Sequence, residues 1–239
     1  MPSVVLENVS IKYKLKRKQY IDSVKNVSLT FPNNKITCII GESGSGKTSI
    51  LRAISGLIDF EGDIKFDDVS TKGLPPNKKG ISYVSQNIGL YPNMTVFNNI
   101  AFPLKLVTSD EEEIRKRVAE VAELLNIKNI ISRKPREISL GQAQRVAIAR
   151  ALVKKSLVYI FDEPFSNLDQ PLSEQLTREL KEIFIKNKST VIFVSHNTFE
   201  SLYLADEIVV MREGEVIEKG SPEKIQKSKK QEVKELLAK

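Results

Sequence analysis

The sequence has little of what several classes of protein require. Its 239 residues include one cysteine, Cys38, so no disulfide framework can form. Cys38 lies in the apolar run ITCII, which favours a buried small hydrophobe over a metal ligand or a nucleophile. The apolar runs are too short to cross a bilayer, and MPSVVLENVS lacks the basic and apolar regions of a signal peptide. We therefore expect a soluble cytoplasmic protein.

The positive net charge raises the question of a nucleic-acid or an anionic-lipid partner. The formal net charge is +7, with local basic clusters at residues 12–18 and 224–230. Neither cluster is interleaved with aromatic rings that could stack on bases, so we interpret both as solvated surface and expect no nucleic-acid partner. Contact with anionic lipid headgroups stays open.

The length suits one large α/β domain, or one domain with an inserted subdomain.

Short apolar segments predict the sheets. Residues 4–13 and 27–31 alternate in part between apolar and polar side chains, as half-buried antiparallel strands do, with KLKRKQ as loop material between them. The runs ITCII, ISYV, LVYIF and VIFV read as buried strands separated by segments of helical pattern. This alternation indicates a parallel sheet covered by helices, and the fold class is α/β.

The segment between residues 92 and 150 carries helical signals only. Apolar residues recur at helical spacing after an acidic turn at 110–113, and these are Ile114, Val118, Val121 and Leu125. We expect one domain, with residues 1–91 and 151–223 as a core that includes the antiparallel strands. Residues 92–150 form an inserted helical subdomain, and residues 224–239 form one short basic helix.

A phosphate-binding loop follows the ITCII strand. Residues 41–48 read GESGSGKT, which matches G-x-x-x-x-G-K-[ST] directly after a buried strand and directly before a helix. The glycines let backbone N–H groups and the helix N-terminus point at phosphates, while Lys47 reaches the β and γ oxygens and the Thr48 hydroxyl ligates Mg²⁺. The predicted ATP-binding residues here are Gly41, Glu42, Ser43, Gly44, Ser45, Gly46, Lys47, Thr48 and Ser49.

Two carboxylates follow the LVYIF strand. Asp162 and Glu163 stand at the carboxyl edge of the predicted sheet, where parallel α/β folds bind ligands. Adjacent side chains point in different directions. Asp162 suits the magnesium shell, and Glu163 suits the general base that polarises the attacking water.

The chain resembles the ABC-type ATPases, because it carries the other motifs of that family in the family's order across nearly its whole length. Gln86 in YVSQNIGLYPNMTV matches the Q-loop of that family, and residues 138–142, ISLGQ, match its signature LSGGQ. The resemblance implies that Gln86 contacts Mg²⁺ and the attacking water, and that the segment after it lies against a membrane subunit. Leu140 departs from the usual glycine, which predicts a looser or reshaped closed interface.

The resemblance also assigns residues after the carboxylates. SNLD, residues 166–169, matches the D-loop, and His196 after the VIFV strand matches the switch histidine, which bridges the γ-phosphate and Glu163. This implies catalytic roles for Glu163, His196, Gln86 and Lys47, and Mg²⁺ ligation by Thr48, Gln86 and Asp162. Four residues are implied to reach ATP bound to a partner subunit: Ser139, Gly141, Gln142 and Asp169. Tyr13 matches the aromatic residue that stacks on adenine, with Tyr20 as its competitor.

In the ABC-type ATPases the P-loop of one subunit and the signature of the other enclose each ATP. A chain with one P-loop and one signature therefore supplies only half of each site. The resemblance therefore implies a homodimer, or a heterodimer with a homologous ATPase subunit, that encloses MgATP at the inner face of a membrane. LYPNMTVFNNIAFPLKL and the segment from Phe161 to Ile183 resemble the importer branch for sugars, polyamines or iron, with separate permease subunits and a solute-binding protein. The C-terminal regulatory domain of many sugar importers is expected to be missing. An exporter or lipid-handling ATPase, and a non-transport ABC ATPase, remain the alternatives.

Overall fold

The computed structural model describes residues 1–14 and 20–238 as two sheets and a set of covering helices. The strands are β1 (Val4–Lys14), β2 (Tyr20–Phe31), β3 (Ile36–Gly41), β4 (Glu61–Phe66), β5 (Val69–Ser70), β6 (Ile81–Val84), β7 (Val158–Asp162), β8 (Thr190–Val194), β9 (Glu207–Arg212) and β10 (Glu215–Gly220). The α-helices are α1 (Lys47–Ile54), α2 (Val96–Lys105), α3 (Glu111–Leu124), α4 (Leu140–Leu152), α5 (Gln170–Lys186), α6 (Thr198–Leu204), α7 (Pro222–Gln226) and α8 (Gln231–Leu237).

The larger sheet has six strands in the order β10-β9-β3-β8-β7-β6, and the smaller has four in the order β2-β1-β4-β5. In the larger sheet every neighbouring pair is parallel except β9 and β10. The smaller sheet is antiparallel throughout. The predicted α/β class, with a parallel core sheet and an N-terminal antiparallel sheet, is confirmed.

Alternating side chains of the larger sheet divide the apolar core in two. On β7, Val158 and Ile160 join a cluster with α1 and the smaller sheet, whereas Tyr159 and Phe161 face the other way, into the cluster formed with α2 to α5. Because each strand is covered on both sides, it reads as a continuous apolar run in the sequence. Cys38 is fully buried in the cluster formed with α2 to α5, where burial raises the pKa of its thiol.

The helical segment between residues 92 and 150 agrees with its sequence pattern. The three helices α2, α3 and α4 occupy it, and α4 continues to Leu152. Within the described chain no strand lies there. The residues predicted at helical spacing are all buried in the core: Ile114, Val118, Val121 and Leu125. Asp110 caps α3 by accepting hydrogen bonds of 3.0 Å from the N–H groups of Glu112 and Glu113.

Two local expectations were wrong. Strand β2 begins at Tyr20 rather than near Val27, and its early residues are exposed, so no alternation marks them. Instead of one helix from Lys224 there are two short ones, because Ser228 turns the chain between them: its hydroxyl donates to Glu218 and accepts from the Lys230 N–H. Residues 15–19 of the expected KLKRKQ loop, and Lys239, lie outside the described residues.

A nearly buried ion pair ties the helical segment to the core. Arg145 on α4 donates to both carboxylate oxygens of Glu179 on α5, at 2.5 and 3.2 Å, and to the carbonyl of Leu125 at 3.1 Å. The Arg145 side chain is 10% exposed and that of Glu179 is 24% exposed. This geometry is bidentate, and a third guanidinium N–H is used by a backbone carbonyl.

We expect Arg145→Met to lower the free energy of unfolding by about 3 kcal/mol, because it leaves the Glu179 carboxylate and the Leu125 carbonyl without their cation. Urea unfolding measures this change. Glu179→Gln is the matched control, since it keeps an oxygen acceptor for Arg145 and should cost less. An Arg145→Met variant as stable as the parent protein would show that the pair contributes nothing.

No helix in residues 1–14 and 20–238 is both long enough and apolar enough to cross a membrane.

Candidate nucleotide site

The loop between β3 and α1 is shaped by glycine. Gly46 has φ of +99°, and a Cβ on it would lie 2.4 Å from the carbonyl oxygen of Ser23. Both the left-handed backbone and the close approach of β2 therefore require glycine at this position. Gly46 stands directly before the first residue of α1, so the N–H groups at the start of that helix face the space above the loop.

That space is a cavity of about 400 Å³. It is lined by Ser23, Ser43, Gly44, Gly46, Lys47, Thr48, Ser49, Gln86, Glu163 and His196. Loop amides, a lysine and the positive end of a helix converge here, which is the setting that binds phosphate groups. The structure thus brings most of the predicted P-loop residues together with Gln86, Glu163 and His196.

Lys47 is held in place by the loop that precedes it. Its ammonium donates to the carbonyl oxygens of Gly41 and Glu42, each at 2.8 Å, and the residue is 4% exposed. Burial lowers the pKa of the Lys47 ammonium, although the nearby carboxylates of Glu163 and Asp162 oppose that shift. An anionic phosphate in the cavity would supply a further counter-charge to this buried cation.

Asp162 is the last residue of β7, and strand alternation sends its side chain toward α1. There the Thr48 hydroxyl donates to Oδ1 at 2.9 Å, and the Tyr83 hydroxyl donates to Oδ2 at 2.7 Å. Mg²⁺ prefers oxygen ligands such as carboxylates and hydroxyls. It is commonly bound by one or two protein ligands together with substrate phosphates. Among the described residues no group of three or more His, Cys, Asp or Glu forms a metal cage. The oxygens of Thr48 and Asp162 fit a magnesium ion that is also bound by nucleotide phosphates.

Glu163 and His196 are in contact with each other on the wall of the cavity. The Nε2 atom of His196 is in hydrogen-bonding contact with Oε1 of Glu163. Glu163 has φ of +49°, an uncommon conformation for a non-glycine residue, and its N–H donates to the carbonyl of Val194 at 3.0 Å. Its left-handed backbone turns the chain after β7, and the carboxylate lines the cavity while Asp162 stays against α1.

A buried carboxylate behind His196 was missed by sequence reasoning. Glu200 on α6 is 5% exposed and accepts hydrogen bonds from the hydroxyls of Ser173 on α5 and Ser195. Ser195 directly precedes His196 and also accepts from the Asn197 N–H at 2.9 Å. Glu200 thus fixes the segment that carries His196. Its sequence signal, a lone glutamate in a short helix, is too weak to identify it.

We expect Glu200→Gln to stabilise the protein increasingly as pH rises. Burial raises the pKa of Glu200, so the folded state holds this proton more tightly than the unfolded chain does. The resulting stability is full below the unfolded pKa, about 4.3, and is lost as pH rises through the folded pKa. Glutamine does not ionise, so the difference in unfolding free energy between variant and parent should grow across that window.

Urea unfolding from pH 4 to pH 8 measures this difference. Glu120→Gln, at an exposed position on α3, is the control for removal of a negative charge. A Glu200→Gln effect of equal size at every pH would contradict the prediction.

The aromatic residue at the end of β1 lies beside the cavity. The hydroxyls of Tyr13 and Ser49 are 3.2 Å apart, and those of Ser23 and Ser49 are 2.7 Å apart. Neither tyrosine lines the cavity, but Tyr13 contacts Ser49, which does, whereas its competitor Tyr20 is 61% exposed. The position of Tyr13 suits the adenine role, which stays a prediction. Ser23 was not anticipated, because it approaches the loop only through the fold of the smaller sheet.

The four residues predicted to act on a partner subunit lie away from this chain's own cavity. Ser139 caps α4, and its backbone and side chain exchange hydrogen bonds with Gln142. Asp169 directly precedes α5. Gly141 packs closely on α5, where a Cβ would lie 2.4 Å from Cδ2 of Leu172. Ser139 and Asp169 are exposed, as a contact with a second chain requires, and their roles stay predictions.

The fold and this site define a P-loop nucleotide-binding protein: a parallel sheet, a glycine-rich loop that begins a helix, and Asp162 and Glu163 at the adjacent strand end. A sequence model of one family, ABC transporter, matches residues 24–166. The chain belongs to this family, and the resemblance drawn from its motifs is confirmed.

Two curated relatives illustrate the match. The spermidine/putrescine import ATP-binding protein PotA of Thermotoga maritima is 41% identical over 221 residues, which cover 92% of this chain and 60% of that protein. The glucose import ATP-binding protein GlcV of Saccharolobus solfataricus is 40% identical over 229 residues, covering 93% of this chain and 64% of that protein. The chain thus spans about three fifths of the length of these relatives.

Solved structures agree. The ATP-binding cassette MJ0796, solved as a dimer in a post-hydrolysis state bound to ADP and Pi, has a TM-score of 0.83 and 31% identity. The match covers 92% of this chain and 98% of that chain. CbiO1 from Clostridium perfringens, part of the ABC transporter complex cbiONQ, also has a TM-score of 0.83, with 27% identity over 95% of this chain and 91% of that chain.

Proposed function

We propose that this chain is the ATP-binding and ATP-hydrolysing subunit of an ABC importer, and that it drives solute uptake through separate transmembrane permease subunits. One observation carries the proposal. Glu163 and His196 are in contact on the wall of the cavity that the P-loop forms, so a base and its partner stand beside the phosphate site.

The residues around the cavity divide the work of phosphoryl transfer. Loop amides and Lys47 bind the β- and γ-phosphates, while Thr48, Asp162 and Gln86 hold Mg²⁺, which neutralises charge that develops on the phosphate oxygens. Glu163 accepts a proton from the attacking water, and His196 keeps that water and the γ-phosphate in line. The side chains that line the 400 Å³ cavity include Lys47, Thr48, Gln86, Glu163 and His196, and Asp162 lies behind Thr48 and accepts a hydrogen bond from its hydroxyl.

Hydrolysis in this proposal requires two subunits. Ser139, Gly141, Gln142 and Asp169 do not line the cavity of their own chain, so they are free to complete that of a homodimeric or heterodimeric partner. The dimeric state of MJ0796 supports this arrangement. Leu140, which is 51% exposed, lies among these residues and is proposed to make the closed dimer less tight.

The direction of transport is inferred from the relatives. Those named above are import ATP-binding proteins for spermidine/putrescine and for glucose, and others of 38–39% identity are import ATP-binding proteins for sn-glycerol-3-phosphate and for maltose/maltodextrin. We therefore place this subunit at the cytoplasmic face of a membrane, against permease subunits and together with a solute-binding protein. The catalytic residues would serve an exporter equally well, so the relatives carry this part of the proposal.

Glu163→Gln should abolish turnover and trap an ATP-bound dimer, because it removes the base while leaving the phosphate and magnesium ligands unchanged. Size-exclusion chromatography with MgATP, and phosphate release, measure the two effects. Lys47→Ala is the matched comparison: it should weaken nucleotide binding and give no dimer. Turnover at the parental rate in Glu163→Gln would rule out Glu163 as the base.

Import is tested with the assembled transporter. We expect ATPase activity in liposomes, after purification with co-expressed neighbouring subunits, to rise when one solute-binding protein carries its solute. That result would establish an importer and identify the solute. ATPase activity that ignores every loaded binding protein would favour the exporter or the non-transport alternatives.

A further inference from the structure

The carboxylate of Asp162 is held from both sides. Thr48 belongs to the P-loop motif, but the second donor, Tyr83, comes from β6 at the edge of the larger sheet, 79 residues away in sequence. In the parallel pairing of β6 with β7, Tyr83 lies opposite Ile160, so its side chain and that of Asp162 emerge on the same face. Asp162 is 5% exposed.

The Tyr83 ring is fixed by packing. It lies against the apolar cluster formed by α1, the smaller sheet, and Val158 and Ile160 of β7. A hydroxyl on a packed ring has little rotational freedom, so the 2.7 Å hydrogen bond fixes Oδ2 in one direction. A metal ion would be held by a lone pair of the Thr48 oxygen, which leaves its O–H to donate to Oδ1, so Thr48 and Tyr83 would orient one carboxylate oxygen each.

We propose that Tyr83 is a positioning residue for the magnesium–nucleotide complex, acting through its hydrogen bond to Asp162. This inference rests on the proposed function, in which Asp162 supports the magnesium shell. Partners that orient a ligating carboxylate commonly contribute 10–100-fold to metal affinity. Tyr83 thereby sets how much free Mg²⁺ the site requires.

A purely structural role is the alternative. Arg52 on α1 also interacts with Tyr83, so the hydroxyl could serve only to join β6 to α1. Such a role would change thermal stability and leave the magnesium requirement as it is. The two roles therefore differ in a measurable quantity.

The test is Tyr83→Phe, which removes the hydroxyl and keeps the ring. Binding of a fluorescent ATP analogue is titrated with Mg²⁺ under conditions without turnover, and binding of Mn²⁺ with the same nucleotide is followed by electron paramagnetic resonance. We expect the Mg²⁺ concentration at half-maximal binding to rise about tenfold. Nucleotide binding without metal should not change.

Tyr159→Phe is the matched control. Its hydroxyl is also hydrogen bonded, to the Ser156 N–H and the Lys154 carbonyl, but it lies on the opposite face of β7 from Asp162. An unchanged Mg²⁺ requirement in Tyr83→Phe, or an equal shift in Tyr159→Phe, would overturn the proposal. A parent protein that binds ATP without regard to Mg²⁺ would overturn the proposed function as well, which separates the two failures.

Discussion

Everything at the site depends on three neighbouring parallel strands whose carboxyl ends meet at one edge of the larger sheet, where Val194 on β8 is paired with Ile39 on β3 and with Asp162 on β7. Ile36 on β3 lies opposite Val191 on β8, and Val158 on β7 lies opposite Thr190 on the same strand. The P-loop, the Asp162–Glu163 pair and the His196 segment must therefore emerge at one edge of the sheet. A shift of one residue in either pairing would reverse the face on which each side chain emerges.

Strand alternation then separates the tasks of the two carboxylates. Asp162 is still part of β7, so it points to the α1 face and meets Thr48 and Tyr83. Glu163 has left the strand with φ of +49°, and its carboxylate meets His196 instead. Two adjacent acids thus come to different surroundings through one left-handed residue, a conformation that is kept because the carbonyl of Val194 holds its N–H.

Site residues that belong to short motifs could be predicted from the sequence. Contacts between residues that are distant along the chain could not. The P-loop and the acids after β7 could be predicted, since each is a short motif with its own strand. Ser23, Tyr83 and Glu200 could not, because their partners are distant: Tyr83 is 79 residues from Asp162, and Glu200 is 27 residues from Ser173. Solvent exposure hid the early part of β2 for a related reason, since its pairing with β1, not its own apolar pattern, defines it.

The residues that we propose to reach a partner chain's nucleotide lie at the starts of two helices in contact with each other. Helices α4 and α5 touch at their first turns, where Leu172 fills the space beside Gly141, and again through the Arg145–Glu179 pair. Two contacts along one pair of helices resist both sliding and rotation between them. Ser139 and Asp169, which stand before those helices, are therefore held at a fixed separation. In the dimer that we propose, a partner's nucleotide would therefore meet both residues in one fixed arrangement.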